Sequence, residues 1–311
     1  MNNNFWENLD KGFLALAPLA GVSDLPFRQI CKEYGADVVY SEMASATALA
    51  FAPEKTLELV EFEDVERPYV VQLFGKDPEH FKVAAKLIEE RISPDGIDIN
   101  FGCPVPKVAK QTAGAELFKD IKLSKKIIEA TINSTSLPVS IKTRTQAGPT
   151  HLLEFLDYMQ NLDIKALMVH GRTLKQGFVG DVDYETIKRS RDYFGGILIA
   201  NGGIVDKKSA LKMQEKTGAD GLGIARGAFG RPWIFSELKV NNYQSPEQKE
   251  IYKIILRHAE LIVEKKTEKY LLEFRKHLCW YVNGMPNAKR LREEFVKVET
   301  LSDIKEIINK N

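Results

Sequence analysis

Short apolar runs rich in branched side chains recur along the chain, and longer stretches with helical spacing lie between them. The runs fall at 13–17, 37–41, 69–73, 96–100, 138–142, 166–170, 197–201 and 219–224, and they predict eight strands. Helical spacing marks 77–91, 124–134, 151–161 and 206–216, with Asp77 ahead of Pro78, Ser124 and Asp206 as the expected N-caps. Strands that lack polar alternation, each followed by a helix, predict a parallel sheet covered on its outer face. Eight such units in about 230 residues fit a closed (β/α)8 TIM barrel better than an open doubly wound sheet.

After Trp233 the strand signal stops. Ser245, Pro246 and Glu247 read as a cap and first helical turn, and helical spacing continues over 250–266, 268–282, 288–298 and 303–309, with a turn at 284–287. The expected organisation is a catalytic barrel over 1–243 and a small helical domain over 244–311.

Composition adds limits. A hydrophobic fraction of 44% and a charged fraction of 28% suit a soluble globular protein. No apolar run reaches the roughly 20 residues that span a bilayer. The first eleven residues lack the basic start and apolar stretch of a signal peptide, so a cytoplasmic location is expected. A net charge of +1 argues against indiscriminate nucleic-acid binding, yet 245–311 holds 14 Lys and Arg against 11 Asp and Glu. Three scattered cysteines form neither a disulfide framework nor a four-ligand metal site, and no metal is expected.

In such a barrel the chemistry sits at the C-terminal ends of the strands. Polar or glycine-rich residues follow every predicted strand except the second. They are Pro18, Gln72, Asn100 with Gly102, Cys103 and Pro104, Lys142 with Arg144, His170 with Arg172, Asn201 with Gly202 and Gly203, and Ala225 with Arg226 and Gly227. The last two groups occupy the loops where barrels commonly hold a phosphate on backbone N–H groups. Tight turns alone would also use those glycines. Lys142 could stabilise negative charge developing during a reaction, or simply reach out to the rim. A lone His170 would by default be a satisfied core residue, and its place before Gly171 and Arg172 favours ligand binding. Cys103, in a stiff Gly-Cys-Pro turn, could act as a nucleophile or a proton donor. Cys31 and Cys279 read as small buried hydrophobes.

Several motifs together resemble the tRNA-dihydrouridine synthase family, in its bacterial B type. They are Ala17-Pro18-Leu19-Ala20-Gly21-Val22-Ser23-Asp24, Ser41-Glu42-Met43, Val71-Gln72-Leu73-Phe74-Gly75, Asp98-Ile99-Asn100-Phe101-Gly102-Cys103-Pro104, Val169-His170-Gly171-Arg172-Thr173 and Arg226-Gly227-Ala228-Phe229-Gly230-Arg231-Pro232-Trp233. Arg275-Lys276-His277 and Trp280-Tyr281 extend the likeness into the helical part.

The resemblance implies bound FMN, NADPH or NADH as a dissociable reductant, and reduction of the C5–C6 double bond of a uridine in tRNA. It implies that Pro18, Leu19, Ala20, Gln72, Lys142, His170, Asn201, Gly202, Gly203, Ala225 and Arg226 hold FMN. Cys103 is then the general acid that protonates C5 after hydride reaches C6. Asn100 and Arg144 would contact the substrate base, and Arg275, Lys276 and His277, with Lys289, Arg290 and Arg292, the tRNA backbone. A monomer without membrane or obligatory protein partner is expected. Leu19, Gly203 and Ala225 depart from the family pattern, and the Ala225 methyl lies where a phosphate is expected. The alternative is an FMN barrel oxidoreductase acting on a free pyrimidine, similar to dihydroorotate dehydrogenase, which leaves the helical part without a role.

Overall fold

Eight strands whose residues are almost all buried are covered when the sheet closes on itself and is wrapped outside by helices. The computed structural model, which describes residues 4–104 and 113–311, has this form. The barrel strands are β1 (Phe13–Leu16), β2 (Val38–Tyr40), β3 (Tyr69–Phe74), β4 (Gly96–Asn100), β5 (Val139–Arg144), β6 (Ala166–His170), β7 (Ile197–Asn201) and β8 (Gly221–Ile224). Each pairs in parallel with its sequence neighbours, and β1 pairs with β8 to complete the ring. The fold class is the expected one. β5 runs two residues further than predicted, so Arg144 is part of the strand rather than beyond it.

The described helices around and after the barrel are α1 (Leu25–Glu33), α2 (Ala46–Phe51), α3 (Glu54–Leu59), α4 (Pro78–Arg91), α5 (Ile121–Ile132), α6 (Leu152–Met159), α7 (Tyr184–Arg189), α8 (Lys207–Thr217) and α9 (Ile234–Lys239). Asp77 and Asp206 cap α4 and α8 as predicted. Ser124 does not cap a helix. Asp120 accepts from the Leu123 N–H and starts α5, while the buried Ser124 hydroxyl donates to the Leu117 carbonyl.

Two features of the lower barrel fix its register. Trp6, fully buried, packs with Phe13 and Tyr40 and closes the barrel floor. Three aspartates just before strands accept the N–H of the neighbouring strand's entry: Asp37 from Leu14 at 2.8 Å, Asp95 from Tyr69 at 2.7 Å and Asp220 from Leu198 at 2.8 Å. Each also pairs with a cation, respectively Lys239, Arg67 and Arg191, which keeps its charge compensated. This face serves stability, and the opposite rim is left for chemistry.

The C-terminal part consists of α10 (Gln248–Lys265), α11 (Leu271–Tyr281), α12 (Ala288–Phe295) and α13 (Leu301–Asn309). The first begins two residues later than a cap at Ser245 predicts, with Glu247 at the N-cap position and no side-chain cap. These helices share one core, and Ile30, Trp233 and Tyr34 of the barrel side pack into it. Ion pairs Arg257–Glu33, Lys265–Glu63 and Lys266–Asp24, each at 2.8 Å, cross the same junction. Gly230, at φ +63°, is required there: a Cβ would lie 2.3 Å from the Trp280 carbonyl carbon.

Candidate active site

Strand register brings the polar residues together. Asn100 pairs with Lys142, Arg144 with His170, and His170 with Asn201. Because alternate residues of a strand share a face, these side chains enter the barrel mouth from four adjacent strands. They line a cavity of about 670 Å³ at the C-terminal ends of the strands. Every barrel residue singled out as a site candidate in the sequence lines it: Pro18, Leu19, Ala20, Gln72, Asn100, Cys103, Lys142, Arg144, His170, Asn201, Gly202, Gly203, Ala225 and Arg226.

The cavity is strongly electropositive. Lys142, Arg144, Arg172 and Arg226 belong to its wall, and no aspartate or glutamate does among the described residues. The cause of each titration shift follows from that grouping. Burial, then the neighbouring Arg144, pushes Lys142 down to about 8. Burial also brings Arg144 down to about 10. His170, buried and facing all four cations, is pushed down to about 2 and is neutral at physiological pH. Such a wall favours an anion.

One corner is shaped for that anion. Arg172 donates through Nε to the Gly180 carbonyl at 2.9 Å, while its buried Nη1 has no protein partner among the described residues. Gly202 lies beside it at φ +115°, where a Cβ would sit 2.7 Å from His170 Cδ2 and 3.5 Å from Arg172 Nη1. Only glycine fits, and its absent side chain leaves backbone next to the guanidinium. Arg226 is exposed at the rim, donates to the Phe178 carbonyl at 3.2 Å and covers the Phe178 ring at 4.6 Å. Ala225, at φ −117°, needs no left-handed backbone, so its methyl is accommodated on the cavity wall. Arg172 and Phe178 are members of this site that the sequence reading named only in passing or not at all.

The turn after β4 is gripped from two sides. Asn100 Oδ1 accepts the N–H groups of Gly102 at 3.0 Å and Cys103 at 2.9 Å. Arg144 Nε donates to the Gly102 carbonyl at 2.8 Å, and its Nη1 to the carbonyls of Thr173 and Gly177. Cys103 is thereby half-buried on the cavity wall.

The helical part meets the mouth through Trp280, which stacks on the cavity-lining Phe229 with ring centroids 4.2 Å apart. Burial raises the half-buried Glu42, and across the junction the charges of Lys266 and then Lys276 work against that rise. The expected nucleic-acid contacts need correction. His277 is only 4% exposed, wedged among Phe27, His258, Phe274 and Trp280, and held neutral by burial. It belongs to the junction core and cannot face a phosphate. Arg275 uses Nε on the Val298 carbonyl at 2.7 Å, which ties α11 to the segment before α13. Cys31 is buried as expected, whereas Cys279 is half-exposed.

This combination defines a (β/α)8-barrel protein with an electropositive cup and a helical appendage on its rim. The dihydrouridine synthase family profile matches residues 15–310, and the chain belongs to that family. It is similar to tRNA-dihydrouridine synthase B of Pseudomonas aeruginosa, 34% identical over 92% of this chain and 88% of that protein. A like match is tRNA-dihydrouridine synthase B of Shewanella oneidensis, 34% identical over 94% of this chain and 93% of the other. Among solved structures, the old yellow enzyme from Trypanosoma cruzi superposes with a TM-score of 0.54 at 11% identity, covering 79% of this chain and 94% of the other. Histamine dehydrogenase from Rhizobium sp. 4-9 superposes at 0.56 and 11% identity, covering 81% and 49% respectively. At such identity these two likenesses concern the fold. No described helix is long and apolar enough to cross a membrane.

Proposed function

We propose that this protein reduces the C5–C6 double bond of uridines in tRNA to 5,6-dihydrouridine, with FMN as bound cofactor and NADPH or NADH as dissociable reductant. The observation that carries this reading is a cup lined by four cations and no carboxylate among the described residues, with Cys103 on its wall. The buried, unpartnered Arg172 Nη1 beside Gly202 fits a phosphate. Arg172 and Arg226, with backbone of Asn201, Gly202, Gly203 and Ala225, would hold it. Pro18, Leu19, Ala20, Gln72, Lys142 and His170 would hold the rest of the cofactor. When bound, the flavin supplies the hydride that goes to uracil C6.

The chain's own residues do the remainder. The Cys103 thiol donates a proton to C5. Lys142 offsets negative charge that develops in the cup. Neutral His170 offers hydrogen bonding without adding charge. Asn100 has its Oδ1 committed to the turn and one Nδ2 hydrogen to Gln72 Oε1, so the second Nδ2 hydrogen, which faces Met43 Sδ, is the one that would serve a uracil carbonyl. Arg144 braces the acid turn and the opposite loop around the base. A uridine stacked in folded RNA must turn out to reach this depth, at a cost of roughly a few kcal/mol. Lys276, with the exposed Lys289 and Arg290, would meet the phosphate backbone and help offset that cost. The reading assigns the barrel, 1–243, to catalysis and 244–311 to tRNA, in a cytoplasmic monomer.

Arg172→Ala tests the cofactor half: FMN affinity should fall by about tenfold or more, as for loss of a charge-assisted phosphate contact. Orotate tests the substrate half. It should neither be reduced nor compete with tRNA, and efficient orotate turnover would replace the RNA reading with a free-pyrimidine one.

A further inference from the structure

Beneath the cup lies a carboxylate with no place in the chemistry so far. Asp98 of β4 is fully buried and is not part of the cavity wall. Its Oδ1 accepts from Ser140 Oγ at 2.7 Å and its Oδ2 from Gln72 Nε2 at 2.7 Å. Gln72 Oε1 in turn accepts from Asn100 Nδ2 at 2.8 Å. Asn100 Oδ1 then accepts the N–H groups of Gly102 and Cys103. A single chain of hydrogen bonds therefore runs from the barrel interior to the turn that carries the thiol.

The direction of such a chain is set by its end. An amide can present either its oxygen or its nitrogen, so Gln72 and Asn100 could each be flipped. An ionised carboxylate only accepts, and it obliges Gln72 to turn its nitrogen downward and its oxygen toward Asn100. Asn100 must then turn its oxygen toward the turn. With a neutral amide at position 98 the lower end no longer enforces this sense, and the reversed chain, which would point Asn100 Nδ2 at two backbone N–H donors, is opposed by the turn alone.

We propose that Asp98 is a positioning residue: its carboxylate fixes the sense of the Gln72–Asn100 chain and so holds Cys103 where the thiol faces the cup. The consequence for turnover rests on Cys103 being the acid. The positional claim does not.

The test is amide hydrogen exchange at Gly102 and Cys103 in the flavin-loaded protein, compared among wild type, Asp98→Asn and Ser140→Ala. In Asp98→Asn protection at these two amides should fall by about tenfold or more, as expected for loss of one to two buried hydrogen bonds, with β6 and β7 unchanged. Ser140→Ala leaves the carboxylate and its Gln72 bond in place and should stay within about twofold of wild type. Asp98→Asn with Gln72→Glu puts a carboxylate where it can accept both from the new amide at position 98 and from Asn100, and protection should return. Should Asp98→Asn fail to fold, wild-type protection factors at pH 5 and pH 7 carry the test, because protonated Asp98 can also donate. Lys142 and the Tyr40 hydroxyl are the titratable groups facing Asp98, with neutral Gln72 and Ser140, and both stay largely protonated between pH 5 and pH 7. Protection should be lower at pH 5. Unchanged protection in folded Asp98→Asn, or no recovery in the double variant, would overturn the proposal. Full activity of Cys103→Ala would instead remove the acid assignment and leave the exchange result standing.

Discussion

Lys142 and His170 line the barrel mouth and Asp98 lies beneath it, and burial disfavours the charged form of each. Asp98 is raised to about 6 by burial, against hydrogen bonds from Gln72 and Ser140 and the charge of Lys142. A carboxyl raised on folding favours the native state most when protonated. Its contribution is fully present below the unfolded value near 4 and is lost as pH rises through 6. At pH 7.5 the ionised group therefore costs stability, and Asp98→Asn should raise the unfolding free energy there by up to about 3 kcal/mol. The gain should shrink as pH falls toward 4. Urea unfolding at several pH values measures this, and a variant destabilised at every pH would refute it. A fold that keeps such a group carries a local cost at a functional site.

At the scale of elements, the strands were legible because a barrel interior and its helical cover demand uninterrupted apolar runs. The helix starts were less so. Ser124 satisfies the composition rule for a cap, but Asp120, one turn earlier, reaches a free N–H first, and Ser124 turns inward. The short α2 and α3 left no periodic signal, since six residues make under two turns. The apolar run ends at 142, yet Arg144 is part of β5 and braces two loops. The Arg28–Glu66 pair also escaped notice because its partners are 38 residues apart. Both side chains are fully buried, 2.7 Å apart, with Arg28 also donating to the Ser23 and Glu61 carbonyls. It ties α1 to the segment entering β3. Glu66→Ala would strand a buried guanidinium and should cost about 3–5 kcal/mol in chemical denaturation. A loss under about 1 kcal/mol would place that pair with ordinary surface pairs.

For the whole molecule, the barrel candidates could be read from sequence because closure forces all strand ends onto one rim, whatever the details of packing. The helical surface has no such rule. Arg275, Lys276 and His277 look like one basic cluster, but consecutive helical residues point about 100° apart, so three in a row cannot share a face. His277 turns into the junction, Arg275 ties two helical segments, and Lys276 is half-buried and near enough to Glu42 for its charge to act on it. Lys276→Ala with Lys289→Ala should therefore weaken tRNA binding and lower the salt dependence of log K by roughly one to two, with flavin content unchanged. An unaltered salt slope would move the RNA path elsewhere.

The most direct measurement is nucleoside mass analysis of a dihydrouridine-free tRNA pool after incubation with the protein, FMN and NADPH, alongside Cys103→Ala. The account predicts uridines heavier by two hydrogens with the wild type, formed at least about 100-fold more slowly by the variant, as loss of a general acid entails. Protein that binds flavin and oxidises NADPH while leaving every uridine unchanged would contradict it.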